Sequence, residues 1–167
     1  MKILVINPGG TSTKIAVFED EKQLFKTNIT HTAEDLKPFH KVFDQFAYRK
    51  ELILRAVMEQ GVRLEALSAV AGRGGLMEPI PGGTYAVNDR MVEDMRNAVH
   101  GEHPSNLGCV LAKEIGDELG IPSFVVDPVS VDELMPIARI SGISDLERPS
   151  WFHALNHKAV ARWAAER

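Results

Sequence analysis

A glycine-rich polar segment lies between two strand-forming runs near the start of the chain. The stretch VINPGGTSTKIAV, residues 5–17, places Asn, Pro, two Gly, three hydroxyl residues and Lys between apolar residues. The P-loop and the dinucleotide-binding fingerprint both open a helix, whereas here a strand pattern follows. The segment therefore excludes those two nucleotide-binding motifs and requires a fold that begins with two strands joined by a polar loop.

The residues of this segment are suited to holding the phosphate tail of a nucleotide. Glycine permits positive φ and leaves backbone N–H groups uncovered by a Cβ atom. Hydroxyl groups donate hydrogen bonds, Lys adds a point charge for phosphate, and the Asn side chain can approach a metal or an anion. The alternative is an ordinary hairpin turn, but two residues suffice for such a turn and this segment uses about six or seven. The candidate phosphate contacts are Asn7, Gly9, Gly10, Thr11, Ser12, Thr13 and Lys14.

Apolar periodicity predicts one mixed α/β sheet. Three successive strands with short turns open the chain, which favours antiparallel pairing among them. Helices and single strands then alternate, which favours right-handed crossovers between parallel strands. We expect five strands flanked by helices, in the order β-β-β-α-β-α-α-β-α. The predicted strands are 3–6, 14–18, 23–29, 67–71 and 124–126, and the predicted helices follow residues 39–57, 91–99, 107–119 and 153–167.

Two predicted strands end in residues suited to catalysis. Gly72-Arg73-Gly74-Gly75 closes one strand, and Asp127-Pro128 closes another. Parallel α/β sheets place their sites at the carboxyl ends of strands. A guanidinium can hold a carboxylate through two hydrogen bonds, and the neighbouring glycines would let a substrate approach. From the residues alone, Arg73 could equally face solvent in a turn, and Asp127 could cap the next turn.

Charge and composition narrow the class of protein. The net charge is −4 and no block of like charges is present, which argues against a nucleic-acid partner. Apolar runs are far shorter than the about 18 residues that a membrane span needs. Cys109 is the single cysteine, so intrachain disulfides are impossible and a reducing, cytoplasmic location is expected. We interpret Cys109 as an inert packing residue.

The last predicted helix, over residues 153–167, lacks a stop signal. No Gly or Pro follows it, so we expect a chain cut within a helix; a frayed natural terminus is the alternative. His153 and His157 lie four residues apart and could face a metal together. Asn156 stands where a zinc-protease motif has Glu, and the sequence does not identify a third ligand, so zinc is not favoured.

Several segments resemble the acetate and butyrate kinase family of the acetokinase, sugar kinase, Hsp70 and actin superfamily. They follow one another in family order over nearly the whole chain, and they are closer to the butyrate kinase branch than to the acetate kinases. One departure is Gly10, where the family usually has Ser. The hydroxyl of that Ser is absent here, so only the backbone N–H of Gly10 could contact a phosphate. The segments are VINPGGTSTKIAVFEDE, GRGGLMEPIPGGTYAVN, GEHPSNLG, IPSFVVDPVSVDEL and FHALNHKAVAR.

The resemblance implies a ribonuclease H-like or actin-like ATPase domain that belongs to a phosphotransferase. Family enzymes move the γ-phosphoryl group of ATP to a short-chain carboxylate, or back from an acyl phosphate to ADP, with Mg²⁺. The implied partners are therefore ATP or ADP and butyrate or a branched analogue. Residues 1–150 correspond to the N-terminal domain and residues 151–167 to the start of the interdomain helix, and the family's second domain has no counterpart here. On this basis we expect the isolated chain to be inactive.

The resemblance also implies roles for individual residues. Arg73 binds the acid, and His153 donates a hydrogen bond to the transferring phosphoryl group. Asp127 is an acidic residue of the catalytic site, where it can orient Arg73 or hold Mg²⁺ through water. His103 lines the phosphoryl path and contributes to substrate binding. Without the resemblance, both histidines would be interpreted as residues at helix starts. The loop contacts to ATP are Asn7, Gly9, Gly10, Thr11, Ser12 and Lys14, and the metal candidates are Asn7 and Asp127.

Other hypotheses stay open. A non-catalytic module could use the same half-fold to bind phosphate or a protein partner. A homodimer could bring two copies together to mimic a two-domain enzyme. Acetate kinase-like specificity is also open, because two methylene groups at about 0.8 kcal/mol each separate butyrate from acetate by only roughly tenfold.

Overall fold

The fold is built on one mixed sheet of six strands, and the computed structural model describes every residue from Met1 to Arg167. Its strands are β1 (Lys2–Pro8), β2 (Ser12–Glu19), β3 (Lys22–Thr30), β4 (Ala69–Arg73), β5 (Thr84–Ala86) and β6 (Ser123–Val126). Their order across the sheet is β3-β2-β1-β4-β6-β5. β1, β2 and β3 pair antiparallel, β1, β4 and β6 run parallel, and β5 pairs antiparallel with β6 at the edge.

The helices begin and end at residues with suitable backbone chemistry. Asn88 caps one helix by accepting a hydrogen bond from the Met91 N–H at 2.9 Å. Gly120 ends another in the left-handed region with φ 66°, as the sequence predicts. No helix combines the length and apolar character that a bilayer crossing requires. The helices are α1 (Ala33–Leu36), α2 (Phe46–Glu59), α3 (Asp89–Arg96), α4 (Asn106–Leu119), α5 (Pro136–Arg139) and α6 (Ala154–Ala165), with 3₁₀ turns at Val42–Gln45 and Leu64–Ala66.

The strand count is the main difference from the sequence prediction. The antiparallel opening trio and the parallel strands after it are confirmed, but the sheet has six strands and not five. The missed strand is β5, which is three residues long and follows Gly82-Gly83. A strand this short carries too little alternation to distinguish it from the turn that its Pro and Gly neighbours predict.

The two faces of the sheet have different neighbours. One face packs against α2 and α4 and forms the main core, because alternate strand residues are apolar and point to the same side. The opposite face carries Val5, Asn7, Ala71 and Arg73, over which α6 contributes Leu155, Asn156 and Ala159. This second face is therefore where polar side chains meet an open surface. The core residues on the first face are Leu4, Ile6, Ile15, Val17, Ile53, Val57, Leu67, Val70, Leu107, Leu111, Ala112 and Ile115.

Glycine allows the end of β4 to lie directly against α4. A Cβ atom on Gly72 would lie 2.0 Å from the Gly108 carbonyl oxygen, and one on Gly108 would lie 2.1 Å from the Arg73 carbonyl oxygen. A Cβ on Gly74 would meet the Val125 side chain at 2.2 Å. These glycines therefore make room for protein atoms and not for a substrate, contrary to the sequence interpretation.

We expect Gly72→Ala to destabilise the protein by about 1–3 kcal/mol or more, since the clash is with backbone and a side-chain rotation cannot relieve it. Urea unfolding followed by circular dichroism measures the change. Gly142→Ala is the matched control, because a Cβ there has no neighbour within 4 Å. Equal stabilities of the two variants would show that β4 and α4 are farther apart than described.

Candidate active site

Asp127 occupies a strained backbone position at the carboxyl end of β6. Its φ is 50°, in the left-handed region that non-glycine residues rarely adopt, although Asp is among the residues that tolerate it best. The residue is 7% exposed. A buried carboxylate held in such a conformation needs compensating contacts, and the surrounding residues supply them.

Asp127 joins three elements that are far apart in sequence. Its Oδ2 atom lies 3.3 Å from Nη2 of Arg73 at the end of β4, and its Oδ1 atom accepts the Leu155 N–H of α6 at 3.0 Å. The Nδ1 atom of His153 donates to the Asp127 carbonyl oxygen at 2.7 Å and lies 3.4 Å from Oδ2. The structure thus brings together the three residues predicted to be catalytic.

The bond to the Asp127 carbonyl fixes the tautomer of His153. A carbonyl oxygen only accepts, so the Nδ1 atom must carry the proton, and the Nε2 atom of the neutral ring is left as an acceptor. Burial lowers the pKa of His153, and the positive charge of Arg73 acts in the same direction. The backbone acceptor and the carboxylate of Asp127 oppose this shift. His153 is therefore a neutral, oriented imidazole at neutral pH.

A cleft of about 520 Å³ lies beside this cluster. Asn7, Arg73 and Asp127 reach it from the carboxyl ends of β1, β4 and β6, which is the edge where parallel strands are expected to place a site. Its remaining walls are largely apolar. The cleft thus combines one guanidinium with a small apolar pocket, and its apolar lining residues are Val5, Ala71, Val126, Leu155 and Ala159.

The predicted phosphate loop is shorter than the sequence indicates. β1 extends through Pro8 and β2 begins at Ser12, so only three residues lie between the strands. The Gly9 N–H donates to the Ser12 carbonyl at 2.7 Å and closes the turn. Neither Gly9 nor Gly10 adopts a positive φ, so the expectation that these glycines are needed for a positive φ is wrong. Gly10 and Thr11 are exposed.

Strand register decides which loop residues face the cleft. Asn7 and Lys14 are direct cross-strand partners and share one face of the sheet. They line a second cavity of about 350 Å³ that shares Val5 and Asn7 with the main cleft. Thr13 is fully buried on the opposite face, so its hydroxyl is not available to a ligand at the cleft.

His103 does not line the cleft. It is exposed just before α4, where its Nδ1 atom accepts the Ser105 N–H at 3.2 Å and lies 2.6 Å from the Ser105 hydroxyl. A positive charge on His103 would make a minor contribution that lowers the pKa of His153. Ser105 is the N-cap residue of α4 but makes no capping bond through its side chain.

Asp127 and Asn7 could hold a magnesium ion whose other ligands are phosphate oxygens and water. No group of three or more His, Cys, Asp or Glu side chains is arranged to hold a metal. Mg²⁺ commonly uses one or two protein ligands besides phosphates and water, so Asp127 and Asn7 are sufficient donors in number. His157 packs edge-on against the Phe152 ring with centroids 5.8 Å apart.

Cys109 is buried in the second, smaller apolar cluster. Burial raises the pKa of its thiol to about 12, so the reactive thiolate is scarce at neutral pH. Its interpretation as a packing residue is confirmed.

A buried polar cluster behind the loop is absent from the sequence prediction. Arg49 of α2 is fully buried and donates to Thr13 Oγ1 at 2.9 Å, and Thr13 Oγ1 lies 2.9 Å from His31 Nε2. The His31 Nδ1 atom is buried without a partner. Burial and, to a smaller extent, the charge of Arg49 lower the pKa of His31 to about 4, against an opposing effect of Asp35.

The low pKa of His31 predicts a loss of stability in mild acid. The unfolded chain takes up a proton near the ordinary value of 6.5 and the folded chain only near about 4, so stability falls as the pH drops through that window. We expect His31→Gln to flatten this dependence, measured by urea unfolding at pH 7 and at pH 4.5. His40→Gln, at an exposed position, is the control and should retain the wild-type slope. An unchanged slope in His31→Gln would contradict the prediction.

Known proteins of similar sequence match nearly the whole length of this chain. No protein-family model matches the chain. Over 161 residues the chain is 55% identical to a probable butyrate kinase of Clostridium botulinum, strain Eklund 17B, and 52% identical to butyrate kinase 1 of Clostridium acetobutylicum. Each alignment covers 96% of this chain and 45% of the relative. The chain is therefore similar to butyrate kinases over nearly its whole length. It spans a little under half the length of the curated relatives it matches.

Solved structures share the fold at low sequence identity. An acetate kinase from Porphyromonas gingivalis has a TM-score of 0.64 at 17% identity, over 99% of this chain and 48% of that one. A propionate kinase from Francisella tularensis has a TM-score of 0.61 at 15% identity, with the same coverage. These values establish the fold alone, and they agree with the α/β architecture expected for this family.

Proposed function

We propose that this chain supplies the carboxylate site and part of the phosphate site of a butyrate kinase, which converts ATP and a short-chain carboxylate into ADP and an acyl phosphate. The observation that carries the proposal is Arg73, held by Asp127 at the mouth of an apolar cleft. The division into a domain of residues 1–150 and an interdomain helix from residue 151 belongs to the same proposal. The curated relatives named as butyrate kinases support it.

Phosphoryl transfer to a carboxylate requires the protein to reduce charge repulsion and to align the reacting atoms. A carboxylate is ionised at neutral pH, so no general base is needed to activate it. The protein must offset the repulsion between that charge and the phosphates and align the reacting oxygen with phosphorus. Arg73 would hold the carboxylate, and Asp127 restrains the guanidinium so that it is already oriented when the substrate arrives. The Nε2 atom of neutral His153 is an acceptor, so His153 would have to be protonated to donate a hydrogen bond to the transferring phosphoryl group.

Magnesium would enter this site with the nucleotide. Asp127 and Asn7 would hold it, and the ion would neutralise charge on the phosphates. Asp127 already bonds to Leu155 and Arg73, so contact through water is the arrangement that keeps those bonds. The exposed N–H groups of Gly10 and Thr11, the hydroxyls of Thr11 and Ser12, and Lys14 would bind the phosphate tail.

The apolar walls favour a short aliphatic chain. Val5, Ala71, Val126 and Leu155 surround a volume suited to a few methylene groups. Each buried methylene adds about 0.8 kcal/mol, so butyrate or a branched analogue should bind better than acetate by roughly tenfold or more.

Replacing the arginine tests the carboxylate site. We expect Arg73→Gln to weaken butyrate binding by about 10-fold to 100-fold, since a hydrogen bond to a charged group contributes about 1.5–3 kcal/mol. Butyrate titration monitored by NMR shifts of residues at the β4 and β6 strand ends measures the affinity. Arg90→Gln, at an exposed position on α3, is the matched control. Equal butyrate affinity in Arg73→Gln and wild type would refute the assignment.

Turnover and assembly are tested separately. We expect the 167-residue chain with ATP, Mg²⁺ and butyrate to give no acyl phosphate trapped by hydroxylamine, because the cleft is walled only by the sheet and α6 and water is not excluded. Robust turnover would show that this chain is sufficient.

The homodimer stays a prediction, and a strictly monomeric chain in light scattering would contradict it. A non-catalytic module predicts that Arg73→Ala leaves the biological activity unchanged.

A further inference from the structure

We propose that Arg49 is a positioning residue that presents two backbone N–H groups of the Gly9–Thr11 turn to a phosphate anion and places a buried positive charge behind them. The inference rests on the proposed function, because it concerns the phosphate side of that site. It assigns a role to a residue of α2 that lies outside the cleft and outside every motif of the sequence analysis.

The guanidinium of Arg49 grips the turn from the helix side of the sheet. Its Nη1 atom donates to the Gly9 carbonyl at 2.9 Å, and its Nη2 atom donates to the Gly10 carbonyl at 3.1 Å. Nη1 also reaches Thr13 Oγ1, while Nε and Nη2 donate to Gln45 Oε1 at 3.0 and 2.7 Å. The planar fork therefore fixes successive peptide groups of the turn in one orientation.

These bonds determine where the neighbouring N–H groups point. In a trans peptide the C=O and N–H bonds are antiparallel, so turning the Gly9 and Gly10 carbonyls toward Arg49 directs the Gly10 and Thr11 N–H groups away from it. Neither N–H donates to another protein atom. The position of a Cβ on Gly10 has no atom within 4 Å, so the space there is open. Successive free N–H groups of this kind form an anion-binding concavity.

The charge of Arg49 lacks an acidic partner. The residue is fully buried, yet all its hydrogen-bond acceptors are uncharged carbonyl, hydroxyl or amide oxygens. Burial lowers the pKa of Arg49, but a guanidinium remains protonated at neutral pH. Buried cations in proteins are normally paired with an anion. A phosphate on the far side of the turn would provide that counter-charge, which the chain itself does not.

The alternative is that Arg49 only satisfies the turn carbonyls and stabilises the fold. A stabilising role predicts a lower melting temperature for Arg49 variants and no change in anion affinity of the folded protein. A positioning role predicts weaker anion binding and altered Gly10 and Thr11 amide signals at a temperature where the variant is fully folded. The two roles therefore differ in a binding measurement made on folded protein.

The test uses ¹H–¹⁵N NMR of the 167-residue chain titrated with inorganic tripolyphosphate and, separately, with MgATP. In the wild type we expect the Gly10 and Thr11 amide signals to move on addition of either ligand. Arg49→Met should weaken tripolyphosphate binding at least tenfold, and Arg49→Lys, which keeps the charge but not the fork, should fall between. Arg55→Met is the matched control on the same helix, because Arg55 is exposed and pairs with Glu51; its affinity should equal the wild type's.

Several results would overturn the inference. A folded Arg49→Met protein with wild-type affinity and unchanged amide shifts would show that the residue is only structural. If Arg49→Met does not fold, Arg49→Lys decides, since an affinity equal to wild type would show that the fork does not position the turn. Wild-type protein that binds tripolyphosphate without moving the Gly10 and Thr11 signals would place the anion elsewhere.

The inference and the proposed function can fail separately. Arg73→Gln should lose butyrate binding and keep the tripolyphosphate response of Gly10 and Thr11. Loss of butyrate binding there, together with wild-type phosphate affinity in Arg49→Met, would reject only the role of Arg49. Wild-type chain that binds neither butyrate nor tripolyphosphate would reject both.

Discussion

The candidate site depends on the contacts of one buried carboxylate. Asp127 accepts from the Leu155 N–H, pairs with Arg73 and bonds through its backbone carbonyl to His153. The same residue therefore orients the cation, fixes the histidine tautomer and anchors the first turn of α6 to the sheet edge. Its left-handed backbone is costly in isolation, and these three bonds offset that cost. An apolar side chain at this position would release Arg73 and the start of α6, whereas the bond from the backbone carbonyl to His153 does not depend on the side chain.

Positive charge is placed on both sides of the sheet although the whole chain is acidic. The net charge of −4 gives no hint of an anion site. Arg73 and Lys14 lie on the open face, while Arg49 approaches the turn from the packed face. Burial around Arg49 reduces screening by water, so its field reaches the turn more strongly than an exposed cation's would. Local geometry and not net charge thus determines which ligands this surface can attract.

Sequence patterns predicted the parts of the structure that follow from periodicity. The opening antiparallel trio, the parallel strands and the meeting of Arg73 with Asp127 could be predicted, because carboxyl ends of neighbouring parallel strands share one edge. β5 could not be predicted, because three residues beside Gly and Pro are too few to show an alternation of apolar and polar residues. The glycines around Arg73 could not be interpreted correctly from sequence, because they make room for α4 and β6 and not for a substrate. Such close backbone approach depends on tertiary packing that a single sequence does not encode.

The sequence carries one signal for the buried position of Arg49. Phe46, Ile53 and Val57 form part of the apolar stripe of α2, and Arg49 falls within the same stripe at helical spacing. A charged residue at a core-facing position must find acceptors, which the pattern reveals, but it does not reveal which ones. Here the acceptors are mainly backbone carbonyls of a turn 39 to 40 residues earlier, and backbone groups leave no trace in side-chain patterns. A buried arginine opposite a glycine-rich turn is therefore a feature that indicates an anion site only once the tertiary fold is known.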